Sequence, residues 1–461
     1  MFIDKLFRRI NKSNSHPYFY LTPNLYTVGN CAEEIISGVN AAKSRNKKLF
    51  ILYPYDLPFI FKWKLTNNEL FLLESKHIFK QGRYMLLSTR LLITIAYIPI
   101  RIYALIARDF FKKRVGESTL MPRIGGKEIY VPDGVNKFDY NLVKKFVSEW
   151  RGAQAVTDFK IRKSRLLNNQ LSSLKKSLGM CEDDWYVCLH VRESGFRNDA
   201  GRREYRNSNV YNYIKAIKEI TSRGGWIIRM GDDTMQRLPD MERVIDYPFS
   251  EHKNDLNDIL LIKHCYFYLG AQSGILEVAN LFSKNVLIVN MVHWGASGLY
   301  GVNSRGILKH WYSKKKKKYV SLEWLFKNSV GFVTEEHAIW ANDSEAVKWK
   351  KVHNYPTSIF DIDDYILFEN NEDEIKDAVV EYLDNLDGNN FHPSSLQSLS
   401  SMYRQECINN MLFGPEIYMF NSKNRNLINN YFFALRVEAS NGFISNCFLS
   451  ENWKHNMRNK D

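Results

Sequence analysis

Two basic side chains follow an apolar run in the middle of this 461-residue chain. The run Trp185–Val191 is rich in β-branched and other apolar residues, which predicts a buried strand that delivers His190 and Arg192 to its carboxyl end. Open α/β sheets bind their ligands at that edge. Basic groups there indicate an anionic ligand, and the Arg192 guanidinium has the geometry to hold a diphosphate through two parallel hydrogen bonds.

A second set of ligand-binding groups lies in the segment Tyr268–Ile275, just before a predicted helix. Gly270 lets the chain turn, Gly274 lets a ligand approach the backbone, and Ser273 offers both an N–H and a hydroxyl. The start of a helix adds free N–H groups and the positive end of its dipole. The segment therefore predicts a phosphate-binding site, although a simple turn fits the same residues. Glu277, one turn further, can accept a hydrogen bond from a sugar hydroxyl.

Further polar residues follow other predicted strands of the same region. Because the carboxyl ends of parallel strands meet at one edge of a sheet, we expect these residues to form one site. The expected binding groove comprises His190, Arg192, Arg229, Gly231, Asp232, Gln272, Ser273, Gly274, Glu277 and Asn290, with His293 and Trp294 beyond it.

The elements that position these residues alternate along the chain, which predicts a parallel sheet with right-handed crossovers. Gly224 and Gly225 end the first helix of the series as a C-cap. The pattern predicts strands over 185–191, 226–230, 243–247, 265–270 and 285–290, and helices over 210–223, 255–264 and 275–282.

The amino-terminal part predicts the opening of another Rossmann-like domain. A strand over 18–21 leads through a loop to a helix that Asn30 is expected to cap, and a second strand follows over 48–53. The Gly29-Asn30 turn is a candidate site loop, and a tight turn with a cap explains it equally well.

Two stretches suggest contact with a membrane. Met1–Lys12 has the pattern of a basic amphipathic helix, which would lie on an anionic bilayer or pack on its own domain. Met85–Ala107 is the most apolar region, but Arg90 and Arg101 interrupt it, and its longest uncharged run is too short for a membrane span. It predicts an apolar helical hairpin or buried pair that touches the cytoplasmic leaflet, or a core helix.

The charge and the cysteine content of the chain limit the classes of binding partner that can be expected. A net charge of +14 favours nucleic acid, phosphorylated substrates or an acidic membrane surface. The lysine run Lys314–Lys318 predicts a solvated loop or part of a contact with an anionic surface. It lacks the interleaved aromatic residues of a stacking platform, so no nucleic acid is expected. Six scattered cysteines, with Cys188 and Cys265 inside apparent core strands, are typical of a reducing cytoplasm and predict no metal site.

The segments YVCLHVRESGF and VIDYP…DILLIKHCYFYLGAQSGILEVANLFSKNVLIVN carry a family resemblance. Over about residues 185–295 the chain resembles bacterial surface-polysaccharide glycosyltransferases. The His-x-Arg strand end is similar to that of GDP-fucose-dependent fucosyltransferases, where the arginine holds the diphosphate of the sugar donor. The Gln-Ser-Gly helix start is similar to the Asp-Ser-Gly segment of heptosyltransferases. Glu193 departs from the second basic residue of fucosyltransferases, so GDP-fucose does not follow.

The resemblance implies an α/β protein of GT-B architecture, with two Rossmann-like domains whose parallel sheets face across a cleft. We expect an acceptor domain over 1–150 with an apolar insertion at about 84–114, a helical bridge over 151–178, a donor-binding domain over 179–345 and a helical extension over 346–461. The expected activity is metal-independent transfer from a nucleotide-sugar, with no cofactor, to a surface-glycan or lipid-linked acceptor. We expect a cytoplasmic enzyme, peripheral on the inner face of the membrane.

The remaining site residues take their roles from this activity. Arg192 would stabilise the leaving diphosphate, and Glu193 is the first candidate for the general base. Glu33 and Glu34 are the alternative bases. The residues expected on the acceptor or sugar side are Gly29, Asn30, Glu33, Arg206 and Asn207. Two alternatives stay open: a binding protein for nucleic acid or another anion on a Rossmann-like scaffold, or a pyruvyl or phosphoryl transferase. A nucleotide-binding P-loop is absent from the sequence, which disfavours an ordinary P-loop kinase.

Overall fold

The structure of the protein, a computed structural model, describes residues 2–56, 65–109, 124–126, 128–131, 141–142, 159–161, 164–193, 195, 204–292, 298–327, 365–388 and 442–459. The predicted site residues His293 and Trp294 lie outside these ranges, and so do most residues of the predicted bridge before 164. The chain divides into two compact units, Met1–Gln170 and Leu171–Asp461.

The first unit contains a strand–helix–strand motif near its start. The two strands of this motif pair in parallel, as predicted. The helix packs closely on the first strand at Gly38, where a Cβ would lie 2.5 Å from the Leu21 side chain. In chain order the elements are α1 (Phe2–Lys12), β1 (Tyr18–Leu21), α2 (Val28–Lys43), β2 (Lys48–Ile51), a 3₁₀ helix (Asn68–Leu72), β3 (Leu73–Glu74), α3 (Arg83–Asp109), β4 (Lys160–Ile161) and the beginning of α4 (Ser164–Ser177).

Helix α2 begins three residues earlier than expected. The prediction that Asn30 caps it is wrong, because Thr27 is the N-cap residue and the helix starts at Val28. The Asn24 side-chain oxygen accepts hydrogen bonds from the Thr27 N–H and hydroxyl, both at 2.9 Å, and this turn starts the helix early. Gly29 and Asn30 therefore lie in the first helical turn and not in a loop.

Helix α1 packs on its own unit, which agrees with one of its two predicted alternatives. The Phe7 and Tyr20 rings meet edge to face with centroids 5.2 Å apart. Arg8 forms a 2.9 Å ion pair with Glu128.

Helix α3 is one continuous helix of 27 residues, with Pro99 inside it, so the region is not a hairpin. Within the part of the chain that the structure describes, its segment Arg83–Tyr103 is long and apolar enough to cross a membrane, by length and composition. Only 22% of the most apolar stretch is buried, so α3 is not the alternative core helix either.

The second unit is built on a seven-stranded sheet in which every neighbouring pair is parallel. All five predicted strands are present, and two short strands that the sequence did not predict extend the sheet at one side. The strands are β5 (Tyr186–His190), β6 (Trp226–Arg229), β7 (Val244–Asp246), β8 (Phe267–Gly270), β9 (Asn285–Met291), β10 (Arg305–Leu308) and β14 (Phe443–Ile444).

The order of these strands is β14-β10-β9-β8-β5-β6-β7. The chain runs outward from β5 through β6 to β7, then crosses back to β8 on the other side of β5 and runs outward again. This is the strand order of a Rossmann-type sheet, with its reversal between β5 and β8. The α/β class is confirmed, and the site of a ligand in such a sheet is expected at this reversal.

The connecting helices lie where the sequence predicts them, and Gly224 ends the first with φ +87°. Residues beyond 365 belong to this unit: their long helix packs on the helix before β6, and Phe443–Ile444 joins the main sheet. The lysine run forms an exposed turn, as predicted.

The remaining elements are 3₁₀ helices (Glu204–Arg206, Val210–Tyr213, Tyr247–Phe249, Met457–Asn459), α5 (Ile214–Ser222), α6 (Asp255–His264), α7 (Gly274–Leu281), β11 (His310–Ser313), β12 (Lys318–Tyr319), α8 (Leu322–Lys327), β13 (Tyr365–Phe368), α9 (Glu372–Leu386) and α10 (Asn446–Asn452).

Candidate functional site

The ends of β5 and β8 are joined at the point where the strand order reverses. The Ala271 N–H donates a 3.1 Å hydrogen bond to the His190 carbonyl oxygen. Gly270 makes this approach possible, because a Cβ at that position would lie 2.1 Å from the same oxygen. The glycine is thus required by the contact between two central strands, and the two predicted ligand-binding segments lie side by side.

The segment after β8 starts helix α7 without covering its N-terminus. Ser273 is the N-cap residue, with extended backbone angles, but its side chain makes no capping hydrogen bond. Its hydroxyl lies 3.1 Å from the hydroxyl of the buried Tyr268 instead. Gly274 is exposed at the first position of the helix. The N–H groups of the first turn, which no helix can satisfy internally, therefore lie beside a hydroxyl and an exposed glycine.

Arg192 is tied to the loop that precedes α5. Its Nη1 donates a hydrogen bond to the Asn207 side-chain oxygen, and its carbonyl accepts one of 3.0 Å from the Ser208 N–H. Arg206 crosses to the other segment and donates a 2.8 Å bond from Nη2 to the Gln272 carbonyl oxygen. The structure therefore brings Arg206 and Asn207, predicted on the sugar side, into contact with the predicted phosphate-binding residues.

Lys309 joins the same cluster, and the sequence did not indicate it. It follows β10 directly, is 3% exposed, and donates a 2.6 Å hydrogen bond from Nζ to the Asn207 carbonyl oxygen. Burial lowers the pKa of the Lys309 amine to about 8, against the opposing charge of Glu369 and together with the Arg192 cation. The detectable signal would have been a lysine just after a strand, but the short segment RGIL did not read as one.

His190 is not a second cation of this site. It is 7% exposed, and burial lowers its pKa to about 4, with the Arg229 and Arg192 cations contributing and Asp232 opposing. The imidazole is therefore neutral at pH 7. Its Nδ1 is buried and has no hydrogen-bond partner among the residues that the structure describes. A neutral imidazole can offer a ligand a hydrogen bond but no positive charge.

Arg229 is fully buried in a cluster with two carboxylates. Its Nη2 lies 2.7 Å from Glu193 Oε1, and its Nη1 lies 3.0 Å from Asp246 Oδ1. The other Glu193 oxygen accepts a 2.7 Å hydrogen bond from the Gln236 N–H. A buried cation of this kind needs its partners, since removing one would leave an uncompensated charge. The contacts give Arg229 and Glu193 a structural role at the ends of β5 and β6.

Other predicted groove residues are also engaged within the protein. Asn290 forms a reciprocal pair with Asn370, with its N–H and side-chain oxygen bonded at 2.8 and 2.7 Å. The Asp232 side chain turns back to the Thr234 N–H at 2.9 Å, next to Gly231 with φ +144°. The buried Glu277 accepts a 3.3 Å hydrogen bond from Asn280. These residues shape the backbone around the site.

The other residues predicted on the acceptor or sugar side, together with Glu34, lie in the first unit, on the first two turns of α2. Gly29, Glu33 and Glu34 are buried, and Asn30 is half-buried. Glu34 accepts a 2.8 Å hydrogen bond from the Asn24 N–H. Among the residues described in either unit, no three histidine, cysteine or acidic side chains come together as metal ligands would.

Comparisons with known proteins find only distant likenesses to solved structures. No protein-family model and no curated protein matches the chain. A dodecameric iron-containing heptosyltransferase, TibC, solved with ADP-D-β-D-heptose, is 16% identical over 23% of this chain and 27% of its own, with a TM-score of 0.18. The glycosyl transferase family 9 protein of Veillonella parvula is 11% identical over 73% of this chain and 100% of its own, with a TM-score of 0.33. This chain thus spans about a quarter of the length of TibC.

Proposed function

We propose that the protein is a glycosyltransferase that binds a nucleotide-sugar at the edge where β5 and β8 end. The observation that carries the proposal is the placement of Arg192 and the uncapped N-terminus of α7 on the two strands that flank the reversal of the sheet. Crevices at such reversals are where open α/β sheets hold nucleotides. A guanidinium and a helix N-terminus together suit a diphosphate.

The chemistry of transfer explains the positive charge. The bond between the anomeric carbon and the diphosphate oxygen breaks with its electron pair on the oxygen, so the leaving nucleoside diphosphate gains negative charge. The acceptor hydroxyl forms the new bond at the same carbon and gives up its proton. Arg192, Lys309 and the N–H groups of α7 are fixed in place before the reaction, and such preorganised groups stabilise charge that develops in the transition state.

Asn207 is the residue that organises this cluster. Its side-chain oxygen holds Arg192 and its carbonyl holds Lys309, so one loop residue positions two cations from different strands. Arg206 beside it ties the same loop to the Gln272 carbonyl. We propose that this loop contributes to the sugar side of the donor pocket, where its remaining polar groups meet the transferred residue.

The proton of the acceptor requires a base, and Glu193 is the predicted candidate on this sheet edge. Both of its oxygens accept hydrogen bonds within the protein, and one of them neutralises the buried Arg229. Protonation of Glu193 would weaken that ion pair and leave Arg229 more dependent on Asp246. The contacts therefore favour Glu193 as a positioning residue.

The proposal is tested by replacing Arg192. Isothermal titration of the full chain with ADP, GDP and UDP should identify a nucleoside diphosphate that binds, and Arg192→Ala should weaken it at least tenfold, since a charge-assisted hydrogen bond is worth about 1.5–3 kcal/mol. Arg192→Lys should recover only part of the affinity, because lysine lacks the planar fork.

The matched control is Arg223→Ala, which removes the C-cap arginine of α5, before β6, where it pairs with Glu219 and Asp384 on the surface. It should bind like the wild type. Undiminished binding by Arg192→Ala would refute the proposed site. Salt-sensitive binding of RNA, with no response to nucleoside diphosphates or nucleotide-sugars, would favour a nucleic-acid-binding protein instead.

A further inference from the structure

Helix α3 presents a long exposed face without charge. The positions exposed along it follow helical spacing from Tyr84 to Ile106, and apolar side chains dominate them. Over these residues the helix rises about 33 Å, at about 1.5 Å per residue. Soluble proteins rarely expose a continuous apolar strip of this length unless it is an interaction surface. Its exposed large apolar residues include Leu91, Leu92, Ile95, Ile102, Tyr103 and Ile106.

The two arginines that interrupt the apolar sequence point away from this face. Arg90 donates a 3.2 Å hydrogen bond to the Pro54 carbonyl, and its guanidinium lies 4.1 Å from the ring centre of Tyr55. Arg101 is 9% exposed. No other charged residue occurs between Tyr84 and Ile106. Both arginines of the helix therefore lie on the side that packs against the protein, and the exposed face is apolar.

The opposite face anchors the helix to the first unit. The Tyr55 N–H donates a 2.8 Å hydrogen bond to the Thr94 hydroxyl, and the buried Tyr97 lies 3.4 Å from the Thr22 hydroxyl. A helix held along one side in this way cannot be surrounded by lipid, as a spanning helix is. It can lie in the plane of a bilayer surface with its free side among the acyl chains.

We infer that this face of α3 binds the surface of an anionic lipid bilayer. Basic residues border the start of the apolar strip, where Lys80 and Arg83 precede it. Lys80 is 67% exposed and forms a 2.9 Å ion pair with Glu74, whereas Arg83 is exposed at the start of α3. Tyr84 and Tyr103 stand near the ends of the strip, and tyrosine favours the boundary between lipid and water. Basic residues beside an apolar strip complement acidic headgroups over acyl chains, and the net charge of +14 adds to this attraction.

This surface goes beyond the proposed transfer reaction. It would hold the enzyme where lipid-linked acceptors are found, and it does not depend on the groups that bind the nucleotide. An interface between two copies of the chain is the competing occupant, and the absence of charge and amide side chains along the strip favours lipid over such an interface.

The test is vesicle flotation of the full chain with phosphatidylcholine alone and with added phosphatidylglycerol. The wild type should float with the anionic vesicles, and rising salt should weaken the binding. The double variant Leu91→Glu, Ile95→Glu should lose at least tenfold in bound fraction. Both positions are more than half exposed, so its thermal unfolding should match the wild type.

The matched control is Val302→Glu, which places the same charge at an apolar position of the second unit that is 67% exposed. It should float like the wild type. Absence of wild-type flotation, or equal flotation of the double variant, would overturn the inference. A dimer that the double variant converts to a monomer in sedimentation velocity, without vesicle binding, would assign the face to self-association. Nucleoside diphosphate binding by the double variant without vesicles should be unchanged, so failure here is separable from failure of the proposed function.

Discussion

Replacing Lys309 by methionine is expected to stabilise the fold and to weaken diphosphate binding at the same time. Lys309 is 3% exposed, and its charge is held by the carbonyl oxygen of Asn207 at 2.6 Å. Burial lowers its pKa from the usual 10.5 to about 8, so the protein keeps an unfavourable buried cation at pH 7. Methionine has a similar length and fills irregular space without a charge.

The size of the effect follows from two opposing contributions. Lowering the pKa of Lys309 from 10.5 to about 8 corresponds to about 3 kcal/mol of unfavourable free energy for the protonated amine in the folded state. Loss of the hydrogen bond to the Asn207 carbonyl opposes the gain by about 1 kcal/mol. The free energy of unfolding of Lys309→Met should therefore exceed that of the wild type by about 2 kcal/mol at pH 7.

The pH dependence distinguishes this cause from better packing. Because the folded-state pKa lies below the unfolded one, the cost of the charge is complete below about pH 8 and fades as the pH rises toward 10.5. Urea unfolding followed by tryptophan fluorescence at pH 7, 8.5 and 9.5 should show the advantage of the variant shrinking with rising pH. A variant that is less stable at pH 7, or an advantage that does not depend on pH, would refute the buried-charge argument.

The binding half of the prediction uses the same pKa. An anion beside Lys309 favours its protonated form, so diphosphate binding near pH 8 should take up protons, and calorimetry in buffers of different ionisation enthalpy measures this uptake. Lys309→Met should bind at least tenfold more weakly and lose the uptake. The matched control is Lys175→Met, a buried lysine bonded to the Asp184 carbonyl at 2.7 Å, before β5 at the other edge of the sheet. Unchanged binding by Lys309→Met would remove Lys309 from the site.

Two further predictions concern the ends of β5 and β8. Gly270→Ala should lower the free energy of unfolding by about 2 kcal/mol or more, because its Cβ would lie 2.1 Å from the His190 carbonyl oxygen. The control Gly82→Ala should change this free energy little, since a Cβ there meets no atom within 4 Å. Equal urea midpoints of the two variants would contradict this reasoning. The pKa of His190 is lowered from 6.5 to about 4, so the wild type should lose about 3 kcal/mol of stability from this group as the pH falls from 6.5 to 4. His190→Gln should lose less stability over the same pH range in acid unfolding. Superimposable pH profiles of the two proteins would exclude the buried neutral histidine.

Much of the second unit could be predicted from local patterns. Strand β5 is buried along its whole length, so it reads as an unbroken apolar run, and the glycines after α5 mark the end of a helix. The same reasoning did not find β10 or β14, because a four-residue segment with arginine and glycine and a two-residue strand carry too little periodicity. It also misplaced the start of α2, where the Asn24 side chain, three residues before the N-cap, sets the turn.

The sequence by itself determined the class of the sheet and the residues that end its strands, because apolar runs, glycines and helix starts act within a few neighbouring positions. Only the tertiary structure decided which of the polar residues meet. It placed β8 against β5, brought Lys309 from an unpredicted strand to Asn207, and enclosed Arg229 between Glu193 and Asp246. Burial also lowered the pKa values of His190 and Lys309, because the surrounding chain removes the water that stabilises their charged forms.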